Sequence, residues 1–301
     1  MSKNLKSYFN FIKLCFNFIF NFIKLHFNFI KYFLFSLYFF ILVGSCSNRH
    51  NSGKINHIVS LSPSLTQIVF ALGEGKKVVA VTKYDFYPPE TKKLPKVGGF
   101  LDVSLEKIIS YQPDLVLLSE LHSDLAKKLK EIGIPYLELK TRNLSETFDT
   151  IKTIGEKLKI TFKSEKLIKN LKKQLKAEKC PQKPRVLITL GHIKNSLKHL
   201  VAAGKGTYLD EILTLAGGIN AIYGGVASYP SLSSEEIITL KPDMIIDIAL
   251  NKSKKPWEHI KFVKKPEIYV FNDRKFSSPG IFFPFIFNKF HKVICNYGKS
   301  E

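Results

Sequence analysis

Two glutamates, Glu106 and Glu235, stand at the same position of an internal repeat. Residues 106–116 are EKIISYQPDLV and residues 235–245 are EEIITLKPDMI, at a constant offset of 129 residues. Each glutamate comes early in a predicted helix, where the helix dipole stabilises a carboxylate. A carboxylate also binds arginine with defined geometry. The pair therefore indicates either local helix stabilisation or a matched contact of two similar lobes with a partner.

Ser62 and Ser64 follow a short β-rich run and open the next predicted helix. Backbone N–H groups at such a point favour an anionic or amide oxygen of a ligand. Ser64 and Gln67 also have the spacing of a capping box, in which the serine only stabilises the helix. A ligand contact and plain helix capping both remain open for the two serines.

Catalytic motifs of the common kinds are missing from the sequence, which contains no G-x-S-x-G, H-E-x-x-H or G-x-x-x-x-G-K. The histidines beyond the first 45 residues do not cluster as the ligands of a metal site do. They are His50, His57, His122, His192, His199, His259 and His291. We therefore expect neither an enzyme nor a resident cofactor, and a secreted metal-binding protein is an alternative.

Short β-rich runs alternate with helical patterns, which is typical of a parallel sheet covered by helices. This alternation of strands and helices occurs twice, in residues 55–144 and in residues 180–301. Residues 145–179, which lie between the two regions, have apolar residues at helical spacing. The sequence predicts an α/β protein of two Rossmann-like lobes with parallel central sheets, joined by a single long helix. A break of that helix near Thr161 is the alternative. Convergence of similar helix–turn–strand sequences is the alternative to a duplicated lobe.

The first 45 residues form a separate region. Residues 9–19 and 20–30 are a tandem repeat that differs only at Cys15 and His26, and we interpret it as low-complexity sequence. Lys31, a twelve-residue apolar run and small residues before Cys46 then make a secretory signal. Residues 43–46, VGSC, are similar to a bacterial lipobox. We expect an extracytoplasmic protein with a lipidated Cys46 and a tether over residues 46–54. The alternative is that the apolar run is an uncleaved membrane anchor and that Cys46 follows it by chance.

The formal net charge is +21, from 46 Lys and Arg against 25 Asp and Glu. The lysines are dispersed and no Arg–aromatic surface stands out, so we expect no nucleic-acid partner. The excess of basic residues has two interpretations. It reflects a bias in the composition of the chain, or it attracts an anionic surface or ligand. Of the four cysteines, Cys180 and Cys295 lie beyond the export region, and the sequence leaves open whether they pair.

Six segments together resemble the class III periplasmic binding proteins, which serve importers of cobalamin, haem and ferric siderophores. They are IVSLSPSLTQIVFALG, YPPETKKLPKVGGFLD, PDLVLLS, GTYLDEILTLAGGIN, YPSLSSEEIITLKPD and NDRKFSSPG, and the resemblance covers residues 55–295. The cobalamin-binding branch is the most similar. The resemblance implies two α/β lobes joined by one helix, small lobe movements and a ligand between the lobes.

The same resemblance implies ligand contacts. Tyr87, Phe100 and Tyr229 match aromatic cleft positions and Asp273 matches a polar one, and such a set suits a macrocycle. The branch often has tryptophan where this chain has Phe100 and Tyr229, so the size of the ligand stays open. Local packing is the alternative for the aromatics. His192 is a candidate ligand of haem iron, and a solvated loop residue is the simpler interpretation.

For Glu106 and Glu235 the resemblance implies docking, with one carboxylate per lobe contacting arginines on the transmembrane subunits of an ABC permease. We therefore predict a lipid-anchored substrate-binding protein that captures cobalamin, or an iron chelate such as haem or a ferric siderophore. A structural or adhesive surface lipoprotein, which would need no deep aromatic cleft, is the competing class.

Overall fold

The computed structural model describes residues 53–191, 200–225, 227–249 and 254–299. The predictions for the low-complexity and signal segment, for Cys46 and for His192 lie outside these residues. Within the described part of the chain, no helix is long and apolar enough to cross a membrane.

The first lobe is built on a four-stranded parallel sheet with the order β2-β1-β3-β4. Its elements are β1 (Ile58–Ser60), α1 (Pro63–Ala71), β2 (Val78–Ala80), α2 (Leu105–Ser110), β3 (Leu115–Ser119), α3 (Ser123–Glu131) and β4 (Tyr136–Leu139). Two apolar clusters are buried in this lobe, as expected when helices cover both faces of a parallel sheet. The predicted parallel α/β lobe is confirmed.

Two helices, α4 (Leu144–Lys157) and α5 (Thr161–Gln174), connect the lobes. The prediction of a single long helix is wrong, and the alternative of a break near Thr161 is confirmed. The chain leaves the helical path at Lys159, whose φ is 58°. The two helices then meet where Gly155 leaves room for the Ser164 side chain, which a Cβ at Gly155 would overlap. Phe148 of α4 packs against the cores of both lobes.

The second lobe contains a six-stranded sheet with the order β10-β9-β5-β6-β8, and β7 pairs with β5. Its elements are β5 (Arg185–Leu190), β6 (Leu200–Ala202), α6 (Tyr208–Leu215), β7 (Ile219–Asn220), β8 (Ser231–Leu232), α7 (Ser234–Thr239), β9 (Met244–Ile248), α8 (Lys255–Glu258), β10 (Glu267–Phe271) and α9 (Phe283–Cys295).

This second sheet is mixed, so the predicted parallel sheet is confirmed for four of its strands and does not describe the other two. Strands β5, β7, β9 and β10 are parallel, whereas β6 and β8 run antiparallel to their neighbours. Only residues 191–199 separate β5 from β6. A connection of that length is too short for a parallel crossover, which takes about a dozen residues or more.

The two lobes repeat one unit at the offset expected from the sequence. Helix α2 and strand β3 begin and end 129 residues before α7 and β9. Gln112 and Lys241, again 129 apart, both have positive φ between helix and strand. Asp114 and Asp243 then each accept a hydrogen bond from the backbone N–H at the start of a neighbouring strand, β1 or β5. The helix, the turn and the strand are thus duplicated.

A disulfide joins Cys180 and Cys295, a pairing that the sequence left open. The disulfide links the end of α9 to the segment between α5 and β5, and the two cysteines are 115 residues apart in the sequence. A link across such a separation typically stabilises a fold by about 2–4 kcal/mol, because it restricts the unfolded chain.

Candidate functional site

A cleft between the lobes contains two adjoining cavities of about 370 Å³ each, within the range of small-molecule sites. The first compartment is lined from both lobes, and the second is lined by the second lobe. They meet at three shared residues, Tyr229, Ser277 and Pro279. The cleft is therefore one continuous candidate site with two parts.

The lining residues come from the carboxyl ends of the parallel strands. Ser62 follows β1, Ser119 ends β3 and Lys140 follows β4 in the first compartment, while Gly191 follows β5 and Ala249 follows β9 in the second. Open α/β sheets carry ligands at this edge because the loops and helix N-termini converge there. The topology thus places the two compartments where a ligand site is expected.

Two of the three predicted aromatic residues, Phe100 and Tyr229, line the first compartment. Tyr87 does not line either compartment, and its ring instead packs edge-on against Phe282 with the centroids 4.7 Å apart. Tyr84, three residues earlier, lines the cavity in its place and is 53% exposed. A ligand contact at Tyr87 therefore has no support from these two compartments, and nothing in the sequence pointed to Tyr84.

The buried carboxylate of Asp85 stabilises the loop that contains Tyr84. Asp85 Oδ2 accepts hydrogen bonds from the Thr82 backbone N at 2.9 Å and from Thr82 Oγ1 at 2.6 Å. Burial raises the pKa of Asp85, and the hydrogen bonds from threonine oppose that rise. With Asp85 turned inward, Tyr84 is left facing the cleft.

His122 holds Phe100 in place, a role that the sequence did not indicate. Its Nε2 lies 2.6 Å from the Phe100 carbonyl oxygen, and the two rings meet edge-on with centroids 5.2 Å apart. The Ser119 hydroxyl lies 3.0 Å from His122 Nδ1 on the other side of the ring. The only sequence signal was the S-x-x-H spacing from Ser119, at the end of β3.

Tyr229 presents an uncharged hydroxyl group at the junction of the two compartments. Burial raises the pKa of Tyr229 to about 12. Behind it, Tyr208 donates a hydrogen bond to the Phe276 carbonyl oxygen at 2.6 Å, and burial, with the nearby Tyr229, raises the pKa of Tyr208 as well. Both phenols therefore stay protonated at neutral pH, and Tyr229 can donate a hydrogen bond to a ligand.

One wall of the first compartment carries an ion cluster that the sequence analysis missed. Arg142 Nε lies 3.4 Å from Glu120 Oε1 and 3.1 Å from both carboxylate oxygens of Glu146, and Lys140 Nζ lies 4.0 Å from Glu120 Oε2. The hydrogen bond from Arg142 lowers the pKa of Glu146. The two bases and two acids balance, so this wall offers polar donors and acceptors without a net charge.

The described lining of the whole cleft is balanced in charge. Its charged residues are Glu120, Lys140, Arg142 and Asp273, two acids and two bases. The protein itself has a formal net charge of +21. The excess of basic residues is therefore distributed elsewhere, and the described cleft does not favour a highly charged ligand of either sign.

The two serines lie in the first compartment, at the start of α1. Ser62 is the N-cap residue, but its side chain does not cap the helix. The Ser62 and Ser64 hydroxyls are 2.9 Å apart, and Ser64 Oγ is 3.4 Å from Thr141 Oγ1. The expected capping box is wrong, since the Gln67 side chain is buried without a hydrogen bond to the described residues. Both serines are buried at the cavity wall, and a ligand contact at either one stays a prediction.

Asp273 lines the second compartment, as expected of a polar contact, but it also has a local role. Its carboxylate accepts a hydrogen bond from the Lys275 backbone N at 2.9 Å and lies 3.7 Å from Lys275 Nζ. A ligand contact at Asp273 stays a prediction, because the carboxylate is already partly engaged.

Glu106 and Glu235 are exposed and stand at the second position of α2 and of α7. The Ser104 hydroxyl donates to Glu106 at 2.9 Å, and hydrogen bonds from the Glu106 backbone and from Ser104 lower the pKa of Glu106. In α7, Glu236 forms the capping box with Ser233. The carboxylate of Glu235 has no hydrogen bond or ion pair with any other described residue.

The family model described as periplasmic binding protein matches residues 58–271, which include both sheets and most of the residues that line the two compartments.

The chain belongs to the periplasmic binding protein family. It is 35% identical over 229 residues to the ABC transporter substrate-binding lipoprotein YvrC of Bacillus subtilis, covering 70% of this chain and 71% of YvrC. It is 28% identical over 193 residues to the vitamin B12-binding protein of Vibrio parahaemolyticus, covering 64% and 70% of the two chains.

The fold is also that of solved members of the family. The periplasmic heme-binding protein RhuT of Roseiflexus matches with a TM-score of 0.67 and 25% identity, over 81% of this chain and 99% of RhuT. The prediction of a two-lobed class III binding protein is thus confirmed. Proteins of this family act in ABC import, where they bind a small ligand and work with permease subunits.

Proposed function

We propose that the protein captures a corrinoid of the cobalamin type between its lobes and delivers it to an ABC permease. The observation that carries this proposal is the aromatic cleft with a charge-balanced described lining. A corrinoid presents broad apolar faces and peripheral amides. Aromatic rings such as Phe100 and Tyr229 suit the faces, and neutral or balanced polar groups suit the amides. The similarity to a vitamin B12-binding protein supports the same ligand class.

Haem is the second candidate, since the solved relative RhuT is a heme-binding protein. Haem carries two carboxylates, and its iron takes an axial ligand such as histidine, methionine, cysteine or tyrosine. The described lining contains no histidine, methionine or cysteine. Of these axial ligands, the lining that the structure describes offers only tyrosine. Burial raises the pKa of Tyr208 and of Tyr229, which opposes the phenolate form that binds iron, and Tyr84 is left as the tyrosine that haem iron could use. These features favour the corrinoid over haem.

A calorimetric comparison of ligands tests the proposal. Cyanocobalamin, haemin and a ferric catecholate siderophore are each titrated into the purified protein. We expect one cyanocobalamin per chain, bound at least about tenfold more tightly than the other two, a difference of about 1.4 kcal/mol. Haemin or the siderophore as the tightest ligand would refute the corrinoid while leaving the function in import intact. Binding of none of the three would contradict the proposed ligand class.

The protein acts outside the cytoplasm, held to the membrane by lipid on Cys46, and it transports its ligand without chemical change. The similarity to a substrate-binding lipoprotein supports the anchor, and the VGSC sequence supports Cys46 as the residue that carries it. Two or more acyl chains make such an anchor stable.

Replacing Cys46 with Ala is expected to abolish lipid attachment. Cells grown with labelled palmitate should label the natural chain, and the Cys46→Ala chain should stay unlabelled and keep its signal segment. Cys15→Ala, at the other cysteine of the export region, is the matched control and should be labelled normally. Labelling of the Cys46→Ala chain would contradict the anchor.

Docking to the permease uses Glu106 and Glu235. Both carboxylates are exposed at equivalent positions of the two lobes, 129 residues apart. Neither lines the cleft. Arginines of two transmembrane subunits can therefore bind one lobe each without touching the ligand.

A further inference from the structure

Three potential metal ligands lie together outside the cleft. Cys180, His291 and Cys295 are each half-buried, and their ligand atoms all lie within 4.8 Å of one another. None of the three residues lines either compartment of the cleft. We propose that this cysteine–histidine cluster, once its disulfide is reduced, binds one thiophilic d10 cation, for which Zn²⁺ is the probe.

The fold brings the three ligands together from two segments. His291 and Cys295 are four residues apart on α9, so their side chains share one face of the helix. Two ligands at this spacing on a helix are a common half of a metal site. Cys180, from the segment between α5 and β5, supplies the third ligand.

The imidazole already stands at the separation that a shared metal requires. His291 Nδ1 lies 3.5 Å from the sulfur of Cys180 and 3.6 Å from that of Cys295. In a tetrahedral zinc site the Zn–S bonds are about 2.3 Å and the Zn–N bonds about 2.0–2.1 Å, which puts each nitrogen about 3.5 Å from each sulfur. Binding therefore needs the two sulfurs to separate. It also needs the imidazole ring to turn, because the Cys295 sulfur lies as close to Nε2, at 3.5 Å, as to Nδ1.

The surroundings hold the imidazole near the sulfurs. The His291 ring is stacked on Phe287, with centroids 5.6 Å apart and planes 10° apart. Its Nδ1 also lies 3.3 Å from the Ala216 carbonyl oxygen. Coordination through Nδ1 requires the tautomer with its proton on Nε2, so metal binding exchanges the contact with Ala216 for a bond to the cation. Such contacts around a ligand restrict its orientation.

The chemistry balances with an external thiol as reductant. Two thiols reduce the disulfide by exchange, giving two cysteine thiols and one oxidised thiol dimer. Zn²⁺ then displaces the two thiol protons and binds two thiolates and one neutral imidazole. Three protein ligands leave a fourth position for water, and the sulfur ligands select Zn²⁺ or Cu⁺ over Mg²⁺ and Ca²⁺. In the reduced protein the cation replaces the disulfide as the link between α9 and the segment before β5.

The test uses the full chain with Cys15 and Cys46 replaced by serine, so that Cys180 and Cys295 are its only cysteines. The protein is purified in detergent, reduced with a phosphine under anaerobic conditions and titrated with Zn²⁺ against a chromophoric chelator. We expect one Zn²⁺ per reduced chain and none per oxidised chain. Substitution by Co²⁺ should give the charge-transfer absorption of thiolate ligands.

Two variants decide whether the histidine is a ligand. His291→Ala should weaken Zn²⁺ binding at least about tenfold, and His259→Ala, at an exposed histidine outside the cluster, should leave it unchanged. No Zn²⁺ binding by the reduced chain, equal binding by His291→Ala, or equal binding by the oxidised chain would each overturn the proposal. If reduction unfolds the chain, Zn²⁺ should restore its circular dichroism, and failure to restore it would also overturn the proposal.

Discussion

Replacement of both Glu106 and Glu235 by alanine is expected to abolish uptake of the ligand and to leave its affinity for the isolated protein unchanged. Each carboxylate is exposed at the second position of its helix and lies outside the cleft lining. Loss of a hydrogen bond to a charged group costs about 1.5–3 kcal/mol, so each single variant should bind the permease about 10- to 150-fold more weakly. The two losses should add, because each lobe contacts a different subunit.

The measurement pairs uptake by cells with calorimetry on the purified protein. Glu236→Ala and Glu131→Ala serve as controls, because both remove exposed acids from the same two lobes. Glu236 caps α7, so its loss should lower the stability of the fold without reducing uptake to the same extent. Normal uptake by the double variant would contradict docking. A large loss of ligand affinity would move the two glutamates into the ligand site.

The second large effect is expected at the aromatic walls of the cleft. Phe100→Ala and Tyr229→Ala should each weaken ligand binding by about 1–3 kcal/mol, or about 5- to 150-fold, because a buried aromatic contact is lost. Tyr229→Phe keeps the ring and removes only the hydroxyl, so it separates stacking from hydrogen bonding. Calorimetry on the three variants measures both contributions.

Tyr87→Ala is the matched control for these variants. Tyr87 packs on Phe282 and lies outside the lining of both compartments. Its replacement should lower the melting temperature and leave ligand affinity nearly unchanged. A loss of affinity at Tyr87 equal to that at Phe100 and Tyr229 would contradict the proposed site.

The duplicated part of the fold could be predicted from the sequence because its signals are local. Apolar spacing, a proline and an aspartate recur at the offset of 129, and they fix a helix, a turn and a strand in each lobe. For the break between α4 and α5, the sequence indicated a position near Thr161 but did not decide between a broken and a continuous helix. The break depends on Gly155 meeting Ser164, which is a contact between two helices and has no periodic signal.

Parts of the candidate site were predictable, and other parts depend on contacts across the fold. Phe100 and Tyr229 were found because each stands beside a glycine or proline turn before a helix. Tyr84 was missed because the inward turn of Asp85 decides which tyrosine of that loop faces the cleft.

The ion cluster was missed for a related reason. Glu120 follows β3, whereas Lys140 and Arg142 follow β4, and only the pairing of these two strands brings the charges together. Nothing in the sequence near any one of these residues marks it as a partner of the others.

A crystal structure of the protein with cyanocobalamin tests directly whether a corrinoid binds between the lobes. We expect one ligand between the lobes, with its ring system against Phe100 and Tyr229. Its peripheral amides should lie near Ser62, Ser64 and the wall formed by Glu120, Lys140 and Arg142. A ligand bound on an outer surface of either lobe, with the two compartments empty, would contradict this expectation.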